Sequence, residues 1–506
     1  MRVQYGPGVA SPSPIRRPPI AWLPVGLAMA VSGVAQAATA SRYGYHRDEL
    51  YFLMLKPAWG YVDQPPFAPL VARAADAVFG QTLWGLRLPS IVAFAVAVLL
   101  AALITRELGG GRGAQALSAF ALAFAAVPVA IGHLLGTSAL DFPMWLAVLL
   151  CVTRALLRDQ PRWWLAAGAL VGLATYNKLL IAMLLIGLAV GLLAVGPRAV
   201  LRSPWLWGGV ALALVIGAPN LIYQITHDFP QLAMGEALAE NNGDEVRAQT
   251  LPFQFLLLGP PLAAIWIAGL VALLRRPAWR PVRAIAIAYP VLVVLTFVGG
   301  SQVYYAVGVL AYLLAAGAVP TADWVARGRV ALRRALVVAA VAFNAVSTVL
   351  ISLPVIPVDA VGDSFAMDLN PTTGDQVGWP TYVRQVADVY RSLPAADQAR
   401  AVVLTANYGE AGAITRFGPE LGLPSVYSGH NELHTYGPPP ADKTVAVVVG
   451  YGQAGISARF AGGCEKAATL DNGVGVDNEE QGQAVWVCRD PAGGWSAVWP
   501  DFHHYD

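Results

Sequence analysis

WGLRLPSIVAFAVAVLLAALIT, residues 84–105, is an unbroken apolar run with a single charge, Arg87. As a helix it would extend about 33 Å, enough to cross a hydrocarbon core of roughly 30 Å. It stops at Arg106-Glu107 and a glycine-rich turn, Gly109-Gly-Gly-Arg112, and a second apolar run starts at 114. The pattern repeats in both directions. Candidate spans lie at 20–40, 84–105, 114–131, 139–157, 163–176, 179–196, 204–223, 252–274, 282–299, 303–320 and 335–353, which makes eleven. The stretch 163–196 is divided at Tyr176-Asn177-Lys178, because a lysine at mid-membrane is costly. Over all 506 residues, 56% are hydrophobic and 13% charged, against about a quarter charged in soluble chains. That excludes a disordered, collagen-like or disulfide-scaffold chain. The near balance of 33 basic and 31 acidic residues gives no basic excess for nucleic acid.

The balance hides an asymmetry. Up to residue 353 there are 25 basic and 13 acidic residues; after it, 8 and 18. With residues 1–19 as a cytoplasmic tail and the spans alternating, the cytoplasmic segments collect 18 of those 25 basic residues. They include Arg106, Arg112, Arg154, Arg158, Arg275, Arg276, Arg280 and Arg283. The positive-inside rule then sets the orientation. Arg16-Arg17, an apolar run and Ala37-Ala38-Thr39-Ala40 also resemble a signal peptide with a cleavage site. At about 20 residues the run is longer than a usual signal core, so it reads as a retained helix.

The segment 20–353 is therefore read as the membrane domain, with a first outer loop at 41–83. The segment 354–506 is soluble-like. Strands are expected at Ala401–Thr405, Thr444–Gly450 and Ala484–Cys488, and helices at Glu410–Phe417 and Gln453–Phe460. Together these give a small extracytoplasmic α/β domain. Cys151 falls in an apolar span and reads as a structural thiol. Cys464 and Cys488 both lie in the outer domain, an oxidising compartment. A disulfide fits there, and the competing reading is two buried free thiols.

A multispan chain can be a transporter, a channel or an enzyme, and the outer loops decide. The first loop carries Tyr43-Gly-Tyr45-His46-Arg47-Asp48-Glu49, then Trp59-Gly-Tyr61-Val-Asp63-Gln64-Pro65-Pro66. An aspartate at a membrane–water boundary can act as general base for a hydroxyl or as an oxygen ligand for a divalent cation. The plainer reading is a solvated loop with an aromatic belt.

An aromatic-x-x-Asp-Glu motif after the first helix, followed by Tyr-x-x-x-Pro-Pro, resembles the GT-C-fold glycosyltransferases that use polyprenyl-phosphate sugars. The bacterial branch of the dolichyl-phosphate-mannose–protein mannosyltransferase superfamily is the nearest pattern. Further matches follow in order: Leu140-Asp141-Phe-Pro143, Gly172-Leu-Ala-Thr-Tyr-Asn-Lys178 and Ser301-Gln302-Val-Tyr304-Tyr305. In the outer segment they are Gly378-Trp-Pro, Ala406-Asn407-Tyr408-Gly409-Glu410-Ala-Gly412 and Tyr427-Ser-Gly-His430-Asn431. The pattern departs in two places. Gln64 stands where a histidine is usual, and 227–250 is acidic where relatives carry more lysine.

The resemblance implies a polytopic α-helical membrane enzyme of about eleven spans at a bacterial plasma membrane. It would take a mannose- or arabinose-like sugar from a polyprenyl phosphate and give it to a hydroxyl on a lipid, glycan or protein. Asp48 is the expected base. Glu49 would orient it, bind the acceptor or help hold a cation. Lys178 is the expected phosphate partner, with a structural ion pair to Asp141 as the alternative. Tyr304 and Tyr305 would line the lipid-phosphate groove, and His46, Tyr61 and Asp141 would contact substrate. Asp63 reads as structural. Asn407–Glu410 opens a helix at a strand's end, where α/β folds bind ligands, or is an ordinary turn. A divalent cation is the one cofactor the pattern admits. The rival function is a secondary transporter or flippase. Such proteins place ionisable residues near the midplane, often in paired repeats, and no repeat between halves is visible. A third reading is an inactive assembly scaffold.

Overall fold

The computed structural model describes residues 15–300 and 302–505. Arg2, most of the expected 1–19 tail, and Ser301 lie outside the described residues.

Seven described helices are long and apolar enough to cross a membrane: Trp22–Thr39, Leu83–Glu107, Thr137–Leu157, Pro204–Thr226, Pro277–Gly299, Val307–Ala326 and Val330–Ser352. Two bent pairs raise the number to nine. Arg112–Ala123 and Ala126–His133 meet at 59°, and Pro230–Leu256 and Pro260–Arg275 at 65°. Trp163–Ala174 and Ile181–Val195 are apolar but short; at 1.5 Å per residue, about 18 and 22 Å do not span the core. The chain is a multi-pass membrane protein, and eleven spans are reached only by counting these two.

The expected straight spans at 114–131 and 252–274 are each broken. At the second break Gly259 takes φ 101°, and Pro260 and Pro261 follow it. A break inside lipid must satisfy the backbone groups it frees, and here the two breaks satisfy each other. Val127 N–H donates to the Leu257 carbonyl at 2.9 Å, and Ala126 N–H to that of Leu258. The buried Asn344 Nδ2, on the last long helix, donates to the carbonyls of Phe124 and Leu258. The acidic stretch after His227 is helical from Pro230 to Leu256.

Beyond Ser352 the chain builds a five-stranded sheet, β1 (Ala401–Thr405), β2 (Val426–Ser428), β3 (Val445–Val449), β4 (Cys464–Thr469) and β5 (Ala484–Arg489), in the order β2-β1-β3-β5-β4. β1 pairs in parallel with β2 and β3, and β5 runs antiparallel to β3 and β4. The fully buried β1 and β3 form its centre, as expected for apolar runs of five. Cys464 and Cys488 sit opposite one another across β4 and β5 and are disulfide-bonded. Cys151 is a buried free thiol. The sheet's helix Tyr408–Phe417 packs directly against the loop helix Arg47–Met54, so the two halves of the chain meet at the first loop.

Candidate active site

The first loop turns into its short helix through a reciprocal cap. His46 Nδ1 accepts the Asp48 N–H at 3.2 Å, and Glu49 Oε2 accepts the His46 N–H at 2.8 Å. One turn thereby aims two adjacent carboxylates in opposite directions. Glu49 goes inward. It and Arg87 are both 0% exposed and form a bidentate pair, Nε–Oε1 2.9 Å and Nη2–Oε2 2.8 Å. Leu135 N–H donates to Oε1. Arg87 also donates to the carbonyls of Ala40 and Gly44 and to Gln376 Oε1. Burial would raise the Glu49 carboxyl, but the Arg87 guanidinium and these hydrogen bonds hold it below the usual range. Glu49 is thus a fully satisfied anchor. The expectation that it binds acceptor or metal is corrected: both oxygens are occupied and sealed from solvent.

Asp48 goes outward. Its side chain is 41% exposed, and Oδ1 accepts a hydrogen bond from the Tyr408 hydroxyl at 2.9 Å. Among the described residues no donor reaches Oδ2 within hydrogen-bond distance. Arg47 links the same hydroxyl (Nε–O 3.1 Å) to Glu479.

Lys178 emerges just after Trp163–Ala174. Its Nζ reaches Ser138 Oγ at 3.3 Å and lies 4.9 Å from the Tyr305 ring centre and 5.8 Å from that of Tyr304. Asp48 and Asp141 both lie within electrostatic reach of it. No ion pair with Asp141 closes within 4.0 Å among the described residues, and Asp141 Oδ1 is buried without a hydrogen-bond partner. The structural-pair alternative is therefore not realised. Ser138, Asp141, Tyr304 and Tyr305 instead line one small cavity of about 20 Å³. Next to it opens an apolar groove of about 630 Å³ between the helices from Thr137 to Phe229. Thr175, Leu179, Leu188, Leu214 and Asn220 are among its lining residues.

Two expected substrate contacts are corrected. Tyr61 is 1% exposed and spends its hydroxyl on the Lys56 carbonyl at 2.8 Å; its aromatic body packs the loop's own core. His46 is 11% exposed, with Nδ1 committed to the cap and Nε2 3.4 Å from Asp375 Oδ2. It builds the turn and does not line an opening. Asp63 is half-buried beside Tyr51 and Glu432 with Oδ1 shielded from solvent, and desolvation, with Glu432 and Asp48 adding, pushes its carboxyl up to about 7. Among the described residues no three His, Cys, Asp or Glu side chains converge as a metal-binding set. These residues do not fit a protein-built cation cage.

Two participants escaped the sequence reading. Arg87 carried a usable signal, since an arginine inside an apolar span needs a buried partner. Tyr408 had a weaker one: it stands in a quoted motif, but its contact with Asp48 spans 360 residues of sequence.

Comparison with known proteins follows the same lines. Residues 63–223 match the family model described as dolichyl-phosphate-mannose-protein mannosyltransferase. No curated protein matches the chain in sequence. Among solved structures, ArnT from Cupriavidus metallidurans bound to undecaprenyl phosphate superposes with a TM-score of 0.58 at 17% identity, covering 92% of this chain and 97% of that one. ArnT in the apo state gives 0.58 at 15% over the same shares. AglB from Archaeoglobus fulgidus, in complex with an inhibitory peptide and a dolichol-phosphate, gives 0.49 at 13%, covering 78% of this chain and 63% of that one. The chain therefore has the fold of the ArnT structures, a GT-C fold, and residues 63–223 carry the sequence pattern of the dolichyl-phosphate-mannose-protein mannosyltransferase model.

Proposed function

We propose that the chain is a membrane glycosyltransferase that moves a sugar from a polyprenyl phosphate to an acceptor hydroxyl. The reaction takes place at the extracytoplasmic face of a bacterial plasma membrane, with the N-terminus in the cytoplasm. The observation that carries this reading is the pairing of a half-exposed Asp48, one oxygen held and one open, with a Lys178 that, among the described residues, has carboxylates in electrostatic reach but none within 4.0 Å. Lys178 stands beside an apolar groove that Leu179, the next residue, lines. The groove suits a polyprenyl tail, and Lys178 at its edge suits the phosphate; undecaprenyl phosphate is the ligand in the ArnT structure of the same fold.

In this mechanism the open oxygen of Asp48 takes the acceptor hydroxyl's proton as the hydroxyl oxygen attacks the anomeric carbon. The new C–O bond forms while the bond from that carbon to the phosphate oxygen breaks. The electron pair leaves on polyprenyl phosphate, whose added charge Lys178 stabilises. An ammonium has three donors; Ser138 takes one, and two are left for phosphate oxygens. Glu49 and Arg87 hold the turn and stay outside the chemistry.

The test is transfer of labelled sugar by the full chain in proteoliposomes. The donors are undecaprenyl-phosphate-mannose and undecaprenyl-phosphate-aminoarabinose, and the acceptor is envelope extract from a deletion strain. Asp48→Asn is expected to insert and fold normally and to lose transfer by at least about a hundredfold. Wild-type turnover by that variant refutes the base assignment. Movement of donor across the bilayer with no new glycosidic bond favours the transporter reading instead.

A further inference from the structure

We propose that Tyr408, supplied by the α/β domain, is a positioning residue for the transfer reaction, so that the catalytic carboxylate is set only when that domain is docked. The proposal rests on the reading of Asp48 as base and goes beyond it by making the second domain part of the catalytic unit.

The docking surface is built for contact without slack. Tyr408–Phe417 crosses Arg47–Met54 at glycines. A Cβ on Gly412 would stand 2.8 Å from the Leu50 carbonyl carbon, and one on Gly409 would stand 2.9 Å from Arg47 Cβ. Both lie below any ordinary van der Waals contact, so larger residues there would push the helices apart. Upstream, Asn407 and Glu410 cap the helix reciprocally, which fixes where Tyr408 begins it.

The Tyr408 ring is then held from several sides. The Tyr51 ring lies 4.6 Å away, the His430 ring 4.8 Å, and the Arg47 guanidinium carbon 4.9 Å from the ring centre. Its backbone N–H donates to His430 Nδ1 at 3.1 Å. A phenol clamped in this way has little rotamer freedom left to lose when substrate arrives.

Donor and acceptor chemistry assigns the hydroxyl proton. Arg47 Nε can only donate, so at 3.1 Å it points its hydrogen at the phenol oxygen. The phenol's own proton is left for Asp48 Oδ1, 2.9 Å away. Burial, and then the Asp48 charge, push the phenol well above its ordinary range, so it keeps that proton. Among the described residues this is the one hydrogen bond to the Asp48 carboxylate. His46 Nδ1 stands 4.0 Å off and is committed to the cap. Tyr408 therefore fixes the carboxylate's rotation about its last bond and leaves Oδ2 facing the acceptor. The tyrosine touches neither donor nor acceptor and acts through Asp48.

The experiment compares the unmodified full chain with Tyr408→Phe, Asp48→Asn and the double variant in the proteoliposome assay above, alongside thermal midpoints. Tyr408→Phe keeps the ring packing and removes the one donor. It is expected to lower kcat about tenfold to a hundredfold, with donor KM within twofold and the midpoint within a few degrees of the unmodified chain. The double variant is expected to be no slower than Asp48→Asn alone, because the two residues act as one unit. An inactive Asp48→Asn beside a fully active Tyr408→Phe overturns the positioning role and leaves the base reading standing. An active Asp48→Asn overturns the base reading itself. A Tyr408→Phe whose loss of rate merely tracks a lower midpoint, or which raises KM and leaves kcat unchanged, overturns the proposal in favour of simple packing.

Discussion

Arg87 and Glu49 show how a carboxylate next to the reactive one is kept out of the chemistry. Every oxygen and nitrogen in the pair has a partner, and none reaches solvent. Breaking one half of a buried pair leaves an uncompensated charge, which typically costs about 3–5 kcal/mol. Arg87→Met should therefore depress the thermal midpoint strongly. Adding Glu49→Gln should recover part of the loss, since the amide carries no charge and its one oxygen still accepts from either His46 or Leu135, which donate to different oxygens of the carboxylate. A double variant as unstable as the single one contradicts the pairing account. Asp63 offers a second check at this scale. Its folded carboxyl lies at about 7 against the usual 3.8. A raised value contributes stability that is full below about pH 4 and is lost as pH rises through 7. Denaturation midpoints of the unmodified chain should fall across that window, and Asp63→Asn should flatten the slope. An unchanged slope places the titration elsewhere.

At the scale of elements, legibility followed the apolar content. β1, β3 and β5 were readable because their residues are almost wholly buried. β4, Cys-Glu-Lys-Ala-Ala-Thr, was not. It is a polar, mostly exposed edge strand, and only pairing with β5 gives it its conformation. β2 has three residues, too few to show a period. The two broken spans read as straight because hydropathy does not register a 59° or 65° bend. Asp48 was legible as a carboxylate in an aromatic loop, whereas the direction it faces depends on a cap and on a helix 360 residues away. The disulfide joins the exposed edge β4 to the buried β5, closing a separation of 24 residues. A loop of that size is worth about 3 kcal/mol by chain entropy. Cys464→Ser should lower the midpoint of the full chain, and reduction with dithiothreitol should do the same to the unmodified chain and nothing further to the variant.

At the scale of the whole molecule, charge sorts to the two ends of the helical bundle. At one end Glu107, itself buried, gathers Arg17, Arg154 and Arg158 within 3.1 Å, and Arg158 and Arg106 tie down the carbonyls of Ile15 and Pro18. At the other end the first loop, Lys178 and the α/β domain meet around Asp48. The arginine-rich end is the one the positive-inside rule assigns to the cytoplasm, and the proposed chemistry then faces outward. Single cysteines in a Cys151→Ser background test this. Gly328 sits in an exposed turn among Arg327, Arg329 and Arg333, and Asp442 is exposed in the α/β domain before β3. A membrane-impermeant maleimide added to intact spheroplasts should label Asp442→Cys at once and Gly328→Cys only after permeabilisation. The reverse pattern would put Asp48 on the cytoplasmic side, where the acceptor would have to be an intracellular hydroxyl and an outward-facing transfer could not occur.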